Sequence, residues 1–129
     1  MTPELTVLTL AALLQVLQFC AYSATSVAQV GTKKAAGPRD TPIQLTGIAG
    51  RLQRAMNNHF EALILFTIAV LATQLSEQNT PYTAACAYIY LGARVLYVPA
   101  YVFGLSPWRS LVWLIGLLAT VAMLTAALL

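Results

Sequence analysis

The stretch Arg51-Leu52-Gln53-Arg54-Ala55-Met56-Asn57-Asn58-His59-Phe60-Glu61 runs directly into Ala62-Leu63-Ile64-Leu65-Phe66-Thr67-Ile68-Ala69-Val70-Leu71-Ala72. Arg51, Arg54, Asn58 and Glu61 follow one another at intervals of 3, 4 and 3 residues. On an α-helix that spacing gathers them within an arc of roughly 80° on one face. The apolar run behind them is long enough to enter a bilayer. Two guanidiniums, an amide and a carboxylate thus line one stripe at the mouth of a membrane helix. Charges at that depth are costly unless they pair or face a wet cavity, so the ladder is a candidate functional site.

Composition extends this reading to the whole chain. Of 129 residues, 59% are hydrophobic and 9% charged, against a charged fraction of about a quarter in soluble domains. The mean hydropathy is +0.73. Four apolar stretches, at about residues 5–30, 47–74, 81–103 and 107–129, each approach the roughly 20 residues that a bilayer requires. The expected fold is an all-α, integral membrane four-helix bundle forming one domain over residues 1–129. So small a bundle has little interior, which points to contacts with further copies. The first stretch is too long for a signal-peptide core and has no basic residue ahead of it, so it is expected to be retained. Cys20 and Cys86 lie in apolar segments without ligand-like neighbours. They are expected to be small buried hydrophobes rather than a disulfide or a metal site.

Charge distribution sets an expected topology. Lys33, Lys34, Arg39, Arg51 and Arg54 lie in or beside the first loop and Arg109 beside the third, whereas the second loop carries only Glu77. Lys and Arg concentrate on the cytoplasmic side, so loops one and three should face the cytoplasm and both termini the outside. Basic residues this few, flanking membrane helices, argue against a nucleic-acid partner.

Gln15 and Gln18 share a face of the first helix and are expected to bond to another helix. Residues 76–81 form a short connection, so helices two and three should be antiparallel neighbours. Pro99 is expected to kink the third helix. Ser106 is expected to cap the fourth, with Pro107 at its first position. Trp108 and Trp113 could anchor the membrane interface or lean into the site.

A second ladder, Tyr90, Arg94, Tyr97 and Tyr101, lies within roughly 60° on one face of the third helix. Arg94 needs an acceptor, and Glu61 is the carboxylate that the sequence places inside a membrane segment. An Arg94–Glu61 pair is expected, with direct ligand contact as the alternative for either residue. Arg109 opens the fourth helix and is followed by Ser110, where free N–H groups and the helix dipole favour an anion; a topology charge is the alternative. His59 points about 100° away from Asn58 and is expected to be an interface or supporting residue. Several arginines around one cleft suit a ligand with several carboxylates, because guanidinium binds carboxylate bidentately. Membrane depth leaves the remaining side open to a lipophilic small molecule.

These residues resemble the MAPEG family, the membrane-associated proteins in eicosanoid and glutathione metabolism. The resemblance rests on Arg51-x-x-Arg54-Ala55-x-x-Asn58-x-x-Glu61, on Tyr90-Leu-Gly-Ala-Arg94-Val-Leu-Tyr97-Val-Pro-Ala-Tyr101, and on Pro107-Trp108-Arg109-Ser110. It implies a homotrimer with glutathione, as co-substrate, bound between neighbours near the cytoplasmic face. By matching position, Arg54, Asn58 and Glu61 would take glutathione's carboxylates and amine. Arg51 and Arg94 would complete the basic wall, and Tyr97 and Tyr101 would contact the peptide from the adjacent subunit. Arg109 would stabilise the thiolate, which is the nucleophile, with Ser110 as helper. Where characterised members carry an arginine at the end of the first helix, this chain has Gly31-Thr32-Lys33-Lys34; Lys33, Lys34 and Arg39 are the available replacements. Short bacterial relatives imply a bacterial inner membrane. The leading expectation is a glutathione-dependent transferase or peroxidase acting on a lipophilic electrophile or hydroperoxide. The second is a non-catalytic membrane binding or assembly protein on the same scaffold. A channel fits less well, because the polar stripe occupies one end only.

Overall fold

A computed structural model describes residues 1–32, 37 and 45–129. Lys33, Lys34 and Arg39, on which part of the expected topology and the replacement for the missing arginine rest, lie outside the described residues. Four helices follow in order: α1 Pro3–Val30, α2 Gly47–Leu75, α3 Pro81–Val102 and α4 Ser106–Leu128. Each has the length and apolar composition to cross a membrane. The chain is an all-α membrane four-helix bundle.

Helices α2 and α3 touch each other and both flanking helices, whereas α1 and α4 do not meet. The central pair therefore supplies most of the interior. On α2 the buried positions Leu52, Ala55, Met56, His59, Phe66, Ala69, Val70 and Thr73 follow helical spacing. Phe66 stacks on Tyr90 of α3 with ring centroids 3.9 Å apart and planes 3° from parallel. Around this stack Val7, Ala11, Ala69, Val70, Cys86, Ala87, Ala119 and Met123 close the half of the bundle that holds the termini. Small alanines let the helix backbones approach there. The opposite half, where α2 and α4 begin, is left for polar side chains. Cys86 is buried as expected, but Cys20 is exposed on the outer face of α1.

Helix ends are held by specific bonds. Thr80 and Thr83 form a reciprocal capping box at the start of α3. At the end of α2, Gln78 N–H reaches the Thr73 carbonyl and Glu77 N–H that of Gln74, with Glu77 at φ 58°. This is a Schellman closure with a glutamate where glycine is favoured. Gln29 of α1 grips the backbone of Thr46 through both amide atoms, at 2.8 and 2.9 Å. Gln15 reaches the Met56 carbonyl of α2 at 3.5 Å, the interhelical bond expected of it, whereas Gln18 donates to Gln15 within α1 at the same distance. At the far end, Glu4 is 1% exposed and accepts from Thr83 Oγ at 2.6 Å. Glu61 is therefore not alone among carboxylates set within the helices.

One expected helix start moves. Leu105, not Ser106, is the N-cap of α4, and no side chain caps it. Ser106 is then the first helical residue and Pro107 the second, where its missing N–H is one the helix would not have used. Gly104 makes the preceding turn at φ 69°, a conformation that costs a residue with a Cβ. A Cβ there would also stand 3.5 Å from the Arg51 guanidinium.

Candidate functional site

The site lies at the end of the bundle formed by the start of α2, the end of α3 and the start of α4. Antiparallel packing brings the two sequence ladders face to face. Arg54 Nε donates to Tyr101 Oη at 3.1 Å. The Arg109 guanidinium stands 4.8 Å from the Tyr101 ring centroid, and Tyr101 lies 5.7 Å from Tyr97. Arg94 stands 4.4 Å from the Tyr97 centroid. Arg94 of α3 thus rests on Tyr97, while Arg54 of α2 and Arg109 of α4 both stand over Tyr101, aromatic faces that partly offset their desolvation.

Two adjoining cavities open along this stack. The outer is lined by Asn58, Tyr97, Tyr101, Arg109, Ser110 and Trp113. The inner is lined by Asn58, Glu61, Tyr90, Arg94, Trp113 and residues deeper on α4. Asn58 and Trp113 belong to both, so they form the boundary. Arg54 of the α2 ladder and Tyr101 of α3 therefore already meet within one chain.

Arg94 does not pair with Glu61. Its Nε donates to His59 Nδ1 at 3.2 Å and its Nη1 to Asn58 Oδ1 at 3.0 Å, while Nη2 is buried with no partner among the described residues. His59 is fully buried, and its Nε2 sits 2.9 Å from the Ala11 carbonyl of α1. Because Arg94 Nε always carries hydrogen, Nδ1 must accept, which makes Nε2 the donor to Ala11. The expected ion pair fails for a rotational reason. Position 59 lies about 100° around α2 from 58 and faces the bundle interior, where buried Arg94 also points, whereas Glu61 is on the more exposed side. Glu61 is left free to meet a ligand. Asn58 commits its oxygen to Arg94 and has no bond from its NH2 group among the described residues.

Arg51 lies at the end of the stack, where its Nη1 bonds the Val102 carbonyl at 3.0 Å. It completes the last turn of α3, where backbone N–H groups already meet the Pro99, Ala100 and Tyr101 carbonyls. The Arg109 amide is also spent, donating to the Leu105 carbonyl at 2.9 Å. What Arg109 offers the cleft is therefore its side chain, not a free N–H at the helix start. Of the expected residues, the outer cavity gathers Asn58, Tyr97, Tyr101, Arg109 and Ser110, Arg54 is tied to its rim through Tyr101, and Glu61 and Arg94 line the inner one. Sequence reasoning missed that His59 aims Arg94. The signal was available: positions 52, 55, 56 and 59 make one apolar-facing stripe, so a histidine there must find buried partners. Among the described residues, no three His, Cys, Asp or Glu side chains could hold a metal ion.

Four membrane-length helices with a basic, tyrosine-lined cleft at one end define an integral membrane protein. The chain belongs to the MAPEG family, whose pattern it matches over residues 5–129. No curated protein and no solved structure matches it. Membership associates the chain with membrane glutathione-related transferase or peroxidase roles in general.

Proposed function

We propose that this protein is a membrane-bound glutathione-dependent transferase or peroxidase acting on a lipophilic electrophile or hydroperoxide. The observation that carries the reading is the outer cavity, where Arg109, Ser110, Tyr97, Tyr101 and the free amide of Asn58 converge on one space. Arg54 and Asn58 would take glutathione's carboxylates, and Glu61, without a partner among the described residues, its amine. Arg109 would face the sulfur. A guanidinium held on the Tyr101 ring is placed to favour the thiolate over the thiol, and the thiolate is the nucleophile.

The exposed apolar flanks of the helices suit lipid and further copies of the chain, and we read the working unit as a homotrimer. We place it in a bacterial inner membrane, with both termini outside and the site at the cytoplasmic face. Arg51, Arg54 and Arg109 support that orientation, because all three lie at the site's end of the bundle.

The test is a titration of glutathione into purified protein, following the ultraviolet absorbance of the thiolate. Saturable binding with a thiolate signal and turnover of a generic electrophile or hydroperoxide is expected. Binding without thiolate or turnover would defeat the enzyme reading and leave a non-catalytic assembly protein.

A further inference from the structure

Asn58, Glu61 and Arg94 border one cavity of about 170 Å³ between α2, α3 and α4. That is close to the volume that takes a single benzene ring. A guanidinium and a carboxylate that both border it stand within a side-chain rotation of each other, in surroundings where opposite charges attract strongly. Glu4 and Glu77 lie at the other end of the bundle, so Glu61 is the carboxylate that the described residues offer Arg94. The two nevertheless stay apart.

What engages Arg94 instead is His59, and the hydrogen bonds through that ring have a fixed direction. The Ala11 carbonyl only accepts, so the Nε2 that stands 2.9 Å from it carries the hydrogen. Arg94 only donates, so Nδ1, 3.2 Å from its Nε, is bare. The same donor-only guanidinium meets Asn58 Oδ1 at 3.0 Å, which assigns the amide oxygen to Arg94 and the NH2 group to the other side. Asn58 borders both cavities. Its Nδ2 has no partner among the described residues and, unlike Arg94 Nη2, is not buried. That nitrogen is open to a ligand.

We infer that His59 is a positioning residue of the glutathione site: by engaging Arg94 it keeps Glu61 unpaired for the ligand's ammonium and holds Asn58 with its N–H donors toward the ligand's carboxylate. The inference rests on the glutathione-dependent reading and adds a residue that lines neither cavity. His59 is fully buried and Arg94 is 1% exposed. An apolar side chain at position 59 would therefore leave the Arg94 Nε–H buried without an acceptor, which is costly. The guanidinium would turn to Glu61, and Asn58 would lose the bond that sets its amide. An ion pair inside the chain then competes with the ligand's ammonium for one carboxylate.

The experiment is a double-mutant cycle of His59→Leu and Glu61→Gln in the full chain in detergent, read by calorimetric titration of glutathione and by thermal unfolding. In the wild-type background Glu61→Gln should weaken glutathione about tenfold, the loss of one charged contact, without lowering the melting temperature. His59→Leu alone should weaken it by a similar factor, raising KM more than it lowers kcat, because Arg109 is untouched. In the His59→Leu background Glu61→Gln should weaken glutathione no further and should lower the melting temperature, because it now removes the partner of Arg94. His59→Asn keeps an acceptor on Cγ, the atom that bears Nδ1, and should restore binding.

A His59 that serves packing alone gives independent losses: the two factors multiply, and Glu61→Gln leaves melting unchanged in both backgrounds. That result overturns the inference, as does His59→Asn binding as poorly as His59→Leu. Should His59→Leu not fold, the wild type decides. With 15N-histidine, Nδ1 should keep the signal of a bare, hydrogen-bonded nitrogen when glutathione saturates the site. A change to an unbonded nitrogen would show Arg94 leaving His59 for the ligand and would overturn the inference. Melting needs no glutathione, so the two readings fail separately. Coupled melting temperatures without glutathione binding would remove the glutathione reading and keep His59 as the residue that holds Arg94 off Glu61.

Discussion

Nδ1 of His59 accepts the Nε–H of Arg94 at 3.2 Å, while Nε2 of the same ring bonds the Ala11 carbonyl at 2.9 Å. One imidazole therefore couples α1, α2 and α3, and decides where the guanidinium of Arg94 points. It holds the orientation that leaves Nη2 free and sets Asn58 Oδ1 against Nη1.

This geometry requires the neutral tautomer with hydrogen on Nε2. The chain contains a single histidine, so 15N-histidine labelling reads it directly. One bare and one protonated ring nitrogen are expected at neutral pH, the bare one being Nδ1. A proton on Nδ1 would contradict the bond to Arg94. His59→Leu should cost about 1.5–3 kcal/mol in detergent unfolding, because it removes a hydrogen bond to a buried cation. His59→Asn, which keeps an acceptor, should cost less.

Among the described residues Glu61 has no hydrogen-bond or ion-pair partner, which separates stability from binding. Glu61→Gln should leave the unfolding free energy within about 0.5 kcal/mol of wild type. It should weaken glutathione about tenfold through the loss of a charged contact to the amine. A marked drop in melting temperature would mean that Glu61 is paired with Arg94 after all.

Arg109 and Arg54 should divide the kinetics. Arg109→Ala should lower kcat more than it raises KM, with less thiolate absorbance at saturating glutathione, as expected of a contact realised mainly in the transition state. Arg54→Ala should mainly raise KM, because a carboxylate contact persists throughout the reaction. Equal effects of the two changes on KM would remove Arg109 from the sulfur.

The α2–α3 turn carries an avoidable cost. Glu77 sits at φ 58° in the Schellman closure, where glycine has no steric penalty. Glu77→Gly should stabilise the protein by about 0.5–1 kcal/mol in thermal or denaturant unfolding. A loss of stability would show that the turn is held in another conformation.

Orientation can be measured in a background with Cys20 and Cys86 replaced by serine and alanine. Cysteine placed at Thr32 should be labelled from the cytoplasmic side and cysteine at Gln78 from outside. Labelling of residue 32 from outside would move the whole site to the other face of the membrane.

The four helices were legible because their cause is local. Segments such as Ser106–Leu128 are apolar over 23 residues, the length that a membrane helix requires. The face shared by Tyr90, Arg94, Tyr97 and Tyr101 was legible for the same reason, since helical period alone sets it. The N-cap of α4 was displaced by one residue, because Pro107 tolerates either of the first two helical positions and the local sequence does not choose.

Which side chain answers which is a different kind of fact. Arg94 and Glu61 carry opposite charges and sit on facing helices, yet Arg94 is held by His59 and Asn58. Arg51 and Arg54 are one turn apart on α2, but the first closes α3 at Val102 while the second reaches Tyr101. By itself, the sequence determined the number of helices, the faces on which polar residues collect and the end of the bundle where they gather. Rotation and register of α2 against α3 decided the partners and split the cleft into two cavities. Those quantities follow from packing the Phe66–Tyr90 stack and its alanine neighbours, contacts between residues far apart in the chain, and periodicity along one helix carries no record of them.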